Sequence, residues 1–245
     1  MISVENLTKK FNPIIAVDGI SFQVKKGEVL GFLGPNDAGK STTMKMLTCF
    51  LSPTEGNATV AGHSIIDDPI EVRKKMGYMP ENAPLYNEME VEDFLEYVAE
   101  LRGIDKAERK ESVAKVLETC ALVGVKAQMI DTLSKGYKRR VSLAQALIHD
   151  PEILILDEPT DGLDPNQKHD VRQLIKKLVE KKCIIFSTHI LEEVEAVCTR
   201  AIIIAKGKIL FDGTPTELKR KSDSGKMDDV FRAITTGEKV RGVSL

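Results

Sequence analysis

The chain has 245 residues, 42% of them hydrophobic and 29% charged, with a formal net charge of −2. That balance allows one large domain, or a core with an insertion, and it excludes a basic footprint for nucleic acid. Cys49, Cys120, Cys183 and Cys198 form no C-x-x-C pair, which points to a reducing, cytosolic setting without a thiolate metal site.

The N-terminus lacks the apolar stretch of a signal peptide, and no apolar run approaches bilayer-spanning length. Short strands are predicted at 2–7, 20–24 and 29–33, with Phe11 in the loop between the first two. After the third strand comes Gly34-Pro35-Asn36-Asp37-Ala38-Gly39-Lys40-Ser41, the pattern G-x-x-x-x-G-K-[ST], and then a predicted helix over 40–50. Strand before and helix after are the context this phosphate loop requires. Its glycines turn backbone N–H groups toward phosphates, and the helix N-terminus adds partial positive charge. Lys40 is placed to reach β- and γ-phosphates, and Ser41 to ligate Mg²⁺. Asp37 sets a carboxylate beside that anion. Aspartate tolerates left-handed backbone, so the loop keeps its shape while nucleotide binding is weakened.

A strand at 58–60, a helix at 69–75 and a strand at 76–79 follow. From 91 to 149 the periodicity turns helical. Phe94, Tyr97, Val98 and Leu101 share one face, and Val113, Val116, Leu117 and Cys120 another. The charges at 105–111 read as a solvated face. This block interrupts an α/β chain and so reads as an inserted helical subdomain. Ser134 opens its last helix, where it can act as N-cap, and Pro151 prevents that helix from continuing.

The apolar run 153–156 reads as a strand buried on both faces. It ends in Asp157 and Glu158, at the strand edge where open α/β sheets bind ligands. Two adjacent acids there repel unless a cation is near. Asp164-Pro165 is an N-cap followed by a favoured N1 proline, ahead of a helix striped by Val171, Leu174, Ile175 and Leu178. A strand at 183–186 then leads into Ser187-Thr188-His189. His63, His149 and His169 show no ligand spacing. Strands at 201–205 and 209–211, a capping box from Thr214 to Glu217, and an amphipathic helix with Met227, Val230, Phe231 and Ile234 complete the pattern. Residues 236–245 carry little signal.

With the phosphate loop, the segments LSKGY (133–137), ILILDEP (153–159) and DGLD (161–164) resemble the ATP-binding subunit of ABC transporters, and the resemblance runs from about residue 4 to 213. MGYMPENAPLY (76–86) and LSKGYKRR are similar to the subgroup that drives ABC-2 type exporters. The fold implied is α/β: a P-loop NTPase (RecA-like) core sheet with an antiparallel β edge and an inserted all-helical subdomain. The core would be 1–87 and 150–213, the helical signature subdomain 88–149, and a C-terminal helical extension 214–245.

The cofactors implied are ATP and Mg²⁺. Phe11, in place of a common tyrosine, would stack on adenine. Val17, Gly34, Pro35, Asn36, Asp37, Ala38, Gly39, Lys40, Ser41 and Thr42 would contact the nucleotide. Ser41, Asp157 and Glu81 (where glutamine is usual) would attend the metal. Glu158 would polarise the attacking water and His189 would contact the γ-phosphate. Ser134, Lys135, Gly136 and Asp164 would act across a head-to-tail dimer. Lys135 stands where glycine is frequent and Asp161 where serine is common. The partners implied are a second ATP-binding subunit, identical or paralogous, and transmembrane permease subunits docking near 82–89, with no nucleic acid. The chain would then lie in the cytoplasm, peripheral on the inner face of the cell membrane. The competing reading is a soluble non-transport ABC ATPase of cluster-assembly or regulatory type. A P-loop kinase would need neither the Ser134 turn nor DEPTDGLD.

Overall fold

The computed structural model describes residues 1–238 and Val243; the remaining positions of the predicted 214–245 extension lie outside the described residues. Strands β1 (Ile2–Phe11) and β2 (Ile14–Val24) form an antiparallel hairpin, longer than the apolar runs alone predict. Cross-strand pairing satisfies the backbone of the polar residues between those runs, so the ladder continues to Phe11 opposite Ile14. Phe11 is therefore the end of a strand and not a loop residue. Between these and the third predicted strand, β3 (Val29–Leu33), lies only a short turn. Helix α1 (Lys40–Leu47) stops before the predicted residue 50, because Cys49 takes a left-handed φ of 56°. Strands β4 (Glu55–Val60) and β5 (His63–Ser64) join β1 in a four-stranded sheet of order β2-β1-β4-β5.

The second sheet is the one that builds the site. Helix α2 (Pro69–Lys75) and β6 (Met76–Met79) fall as predicted. With β7 (Ile153–Asp157), β8 (Cys183–Thr188), β9 (Arg200–Ala205) and β10 (Lys208–Gly213), the order is β10-β9-β3-β8-β7-β6. All neighbours are parallel except β10, an antiparallel edge on β9. Every residue of β3, β7 and β8 is buried, as a parallel sheet covered on both faces requires.

Alternate side chains feed two cores. Leu30, Phe32, Ile153 and Ile155 pack with the antiparallel sheet and α1. Val29, Leu33, Leu154 and Leu156 pack with helices α3 (Val91–Leu101), α4 (Lys106–Thr119) and α5 (Lys135–Leu147). The helical block thus shares one continuous core with the sheet. Helices α6 (Pro165–Val179), α7 (Leu191–Val197), α8 (Pro215–Arg220) and α9 (Met227–Thr236) follow. Thr214 and Glu217 make the predicted capping box. In α9, Met227 and Val230 are buried, with Phe231 and Ile234 packed beside them. Among the described residues no helix is long and apolar enough to cross a membrane.

Candidate active site

The register of the parallel sheet brings three loops to one edge. Leu33 lies opposite Thr188, and Asp157 opposite Ser187. The segments after β3, β7 and β8 (the phosphate loop, Glu158 and His189) therefore leave the sheet side by side.

The loop from Gly34 to Gly39 is held from behind. A Cβ on Gly39 would strike the Ala16 carbonyl, and Gly39 has φ 106°, so glycine is required there on both counts. Gly207 donates its N–H to the Ala38 carbonyl at 3.0 Å. No side chain caps α1 at Gly39, so its first amides stay open to an anion. Val17 is wholly buried and its side chain borders Gly39; it supports the loop from behind and offers no exposed face to a nucleotide. Pro35, Asn36 and Asp37 are exposed. Asp37 has the left-handed φ (62°) that its side chain tolerates. Replacing it with glycine keeps that conformation and removes the charge. Asp37→Gly is expected to tighten ATP binding about two- to tenfold at low salt, with the gain fading at high salt. Equal affinities in a titration at low salt would contradict this.

Lys40 is buried. Its Nζ donates to the carbonyls of Gly34 (2.7 Å) and Pro35 (3.1 Å) and lies 3.6 Å from the Glu158 carboxylate. Ser41 Oγ is 3.4 Å from Asp157 Oδ1, with Thr42 one position along. Glu158, just past β7, sits at φ 49°, a left-handed conformation costing a non-glycine residue about 1–3 kcal/mol. Ser187 stabilises that turn: its Oγ donates to Asp157 Oδ1 (2.5 Å) and accepts from the Glu158 N–H (3.1 Å). The His189 Nδ1 lies 3.0 Å from Glu158 Oε2. With Glu158 ionised, the shared proton belongs on Nδ1. Burial pushes the Glu158 carboxyl above its ordinary 4.5, opposed by the His189 hydrogen bond and the Lys40 charge. A buried carboxylate of raised basicity beside an open anion cradle can accept a proton from water.

Other predicted residues stand further out. The Glu81 side chain is exposed and makes no hydrogen bond among the described residues; only its carbonyl is held, by Arg139 Nη1 at 2.5 Å. Phe11 is exposed at the hairpin end, with Lys9 Nζ 5.2 Å from its ring centroid. Ser134 caps α5, accepting from Tyr137 N–H at 3.4 Å, and Asp164 caps α6, accepting from Gln167 N–H at 3.0 Å. Neither cap residue hydrogen-bonds to this chain's own phosphate loop.

Ser187, Arg139 and Tyr78 escaped the sequence reading. Ser187 was legible only as part of Ser-Thr-His, since its bonding follows from the β7–β8 register. The Tyr78 hydroxyl is buried without a partner among the described residues, and burial, then the charges of Asp157 and Glu81, pushes its pKa up. Burial pushes the thiols of Cys120, Cys183 and Cys198 up to about 12, leaving them inert.

A family model described as ABC transporter matches residues 17–161. The chain belongs to the ABC transporter family. Within it, this ABC chain is 37% identical over 230 residues to the probable multidrug ABC transporter ATP-binding protein YbhF of Escherichia coli (strain K12), covering 94% of this chain and 40% of that protein. It thus spans less than half of that relative's length. It is 33% identical over 250 residues to the ABC transporter ATP-binding protein NatA of Bacillus subtilis (strain 168), covering 100% of each. Among solved structures, the ATP-binding cassette MJ0796, a dimer in a post-hydrolysis state bound to ADP and Pi, superposes with TM-score 0.80 at 25% identity, covering 87% of this chain and 98% of that one. By sequence and fold the chain is an ABC ATP-binding cassette.

Proposed function

We propose that this cassette hydrolyses ATP within a head-to-tail dimer and is the motor of an ABC-2 type exporter. The observation that carries the chemistry is the meeting of Lys40, Ser41, Asp157, Glu158 and His189 at one sheet edge beside the uncapped N-terminus of α1. The triphosphate lies on the loop amides, and Lys40 exchanges the carbonyls of Gly34 and Pro35 for phosphate oxygens. Glu158 takes a proton from water as the water oxygen bonds to the γ-phosphorus and the bridging P–O bond breaks, releasing ADP and phosphate. His189 holds the Glu158 carboxylate in place through Nδ1. The hydroxyl of Ser41 and the carboxylate of Asp157 are hard oxygen donors on one side of the cradle. They suit Mg²⁺ shared with phosphates, and no cluster of three protein ligands competes among the described residues. Bound there, Mg²⁺ would neutralise phosphate charge. Ser187→Ala would take from Asp157 its closer hydroxyl donor, leaving the Ser41 hydroxyl at 3.4 Å, and raise the Mg²⁺ requirement for nucleotide binding by about 10- to 100-fold. A magnesium titration of nucleotide affinity checks it, and an unchanged requirement would dissociate Ser187 from the metal.

The separation of the Ser134 and Asp164 caps from the chain's own phosphate loop supports a second subunit completing each site. In this reading 1–87 with 150–213 is the catalytic core, 88–149 the arm carrying Ser134, and 214–245 a C-terminal helical extension. A permease would dock where Tyr86, Phe94 and Tyr97 form an aromatic cluster, with ring centroids 6.0 and 5.6 Å from Tyr86, beside a groove of about 600 Å³. Tyr97 and Leu101, predicted on one face with buried Phe94 and Val98, are exposed on it. Arg139 ties the start of this segment at Glu81 to α5, so motion of the docked partner would reach Ser134. The MGYMPENAPLY segment and the likeness to YbhF support export. Cytoplasmic placement against the membrane follows from that partner.

The test is to purify the tagged subunit from detergent-solubilised source membranes with ATP and vanadate. A co-purifying chain with several spanning helices supports the motor. Soluble partners alone would move the chain to a non-transport ATPase.

A further inference from the structure

Two of this chain's departures from the family pattern, Lys135 in the Ser134 turn and Asp161 after β7, are placed together by the fold. Lys135 is the first residue of α5, and its Nζ lies 3.7 Å from Asp161 Oδ2. The ammonium is draped over Gly162, where any Cβ would overlap it, and a Cβ at Gly136 would likewise strike the Gln167 side chain. Both members of the pair remain open to solvent, at 61% and 44% exposure, so an incoming subunit can reach them. They line a small cleft that also holds Glu81, Lys138 and Arg139.

We propose that Asp161 is a positioning residue that holds Lys135 against its own chain until a γ-phosphate replaces it. The inference rests on the head-to-tail dimer proposed above. In the open subunit the Lys135 ammonium is neutralised locally by Asp161. On closure, the triphosphate bound to the other subunit presents a γ-phosphate of greater negative charge than a single carboxylate. Lys135 moves from Asp161 to that phosphate, and Asp161 is released to the dimer interface. ADP carries no γ-phosphate, so with ADP the exchange has no gain and Lys135 stays on Asp161. The pair therefore weakens closure in general and lets ATP recover the loss. This accounts for both departures at once: a lysine in the turn adds attraction for phosphate, and an aspartate opposite it keeps that attraction from acting on the wrong nucleotide.

The test is a double-mutant cycle on dimerisation, measured by sedimentation with ATP and magnesium in a Glu158→Gln background that arrests turnover. An exposed pair of this kind predicts that Asp161→Asn tightens the ATP dimer about two- to fivefold at low salt, and less at high salt. Lys135→Met weakens it, and adding Asp161→Asn to Lys135→Met changes nothing further, because the partner of Asp161 is gone. In ADP, where the pair is not broken, Asp161→Asn changes dimerisation less than in ATP, so the gap between the two nucleotides widens. If Asp161→Asn acts by the same factor with and without Lys135, the positioning role is overturned while the dimer stands. If the Glu158→Gln background itself forms no ATP-dependent dimer, both this role and the head-to-tail reading fall. Surface variants such as these are expected to unfold like the parent, which thermal melts verify.

Discussion

Glu158→Gln is expected to lower ATP turnover by at least 10²-fold, the lower bound for losing a positioned general base, while ATP still binds and drives dimerisation. The glutamine keeps the shape of the buried side chain and its contact with His189 but cannot accept the proton. Phosphate release and nucleotide affinity, measured on the same preparation, separate the two effects; near-parental turnover would remove Glu158 from the chemistry. The parent's pH profile carries the same information. Because burial raises the Glu158 carboxyl above 4.5, the acid limb of kcat/KM should lie above that ordinary value. The limb should vanish in the variant's residual activity.

The same shift fixes the sign for stability. A carboxyl whose folded pKa is raised favours the fold fully below its unfolded pKa, and that contribution is lost as pH rises through the folded value. At neutral pH the ionised Glu158 is thus a burden on the nucleotide-free subunit, and the neutral glutamine removes it. The variant's melting temperature should equal or exceed the parent's at pH 7, with the difference closing at acid pH. A fall of several degrees at pH 7 would mean that the pairing with Lys40 and His189 outweighs burial.

Most of the fold was legible because its elements announce themselves in periodicity. The run at 153–156 could only be a covered strand, and α2 and β6 fell where their residues put them. The antiparallel hairpin was underestimated, since residues 8–11 and 14–19 are held by ladder bonds that no side-chain pattern reports. The phosphate loop, Asp157 and Glu158 were legible as spacing and chemistry. What escaped depends on register and rotamer. Ser187 reaches Asp157 only because β7 and β8 pair as they do. Val17 turned out to be a buried support behind Gly39, and the Glu81 side chain to be free of Asp157. Asp161 was an unexplained departure in the sequence and becomes interpretable only beside Lys135, 26 positions earlier.

Lys40→Met is expected to abolish measurable ATP binding, and it should also expose how the empty site is balanced. The ammonium is the phosphate loop's only side-chain positive charge, so its loss removes the direct partner of the β- and γ-phosphates. In the empty site it also lies 3.6 Å from Glu158, with side chains only 7% and 10% exposed. Removing one member of such a buried pair leaves the other charge uncompensated, at a cost of roughly 3 kcal/mol, the low end of the usual range, since His189 still hydrogen-bonds the carboxylate. Glu158 should then be pushed further up, and the subunit should melt lower at neutral pH than at mildly acid pH. Adding Glu158→Gln removes the stranded charge, so the double variant should recover most of the lost stability without recovering ATP binding. A double variant that melts as low as Lys40→Met would show instead that the bonds from Lys40 to the Gly34 and Pro35 carbonyls hold the loop. In that case the lysine in the empty site is a strut for the phosphate loop, and its pairing with Glu158 is incidental to stability.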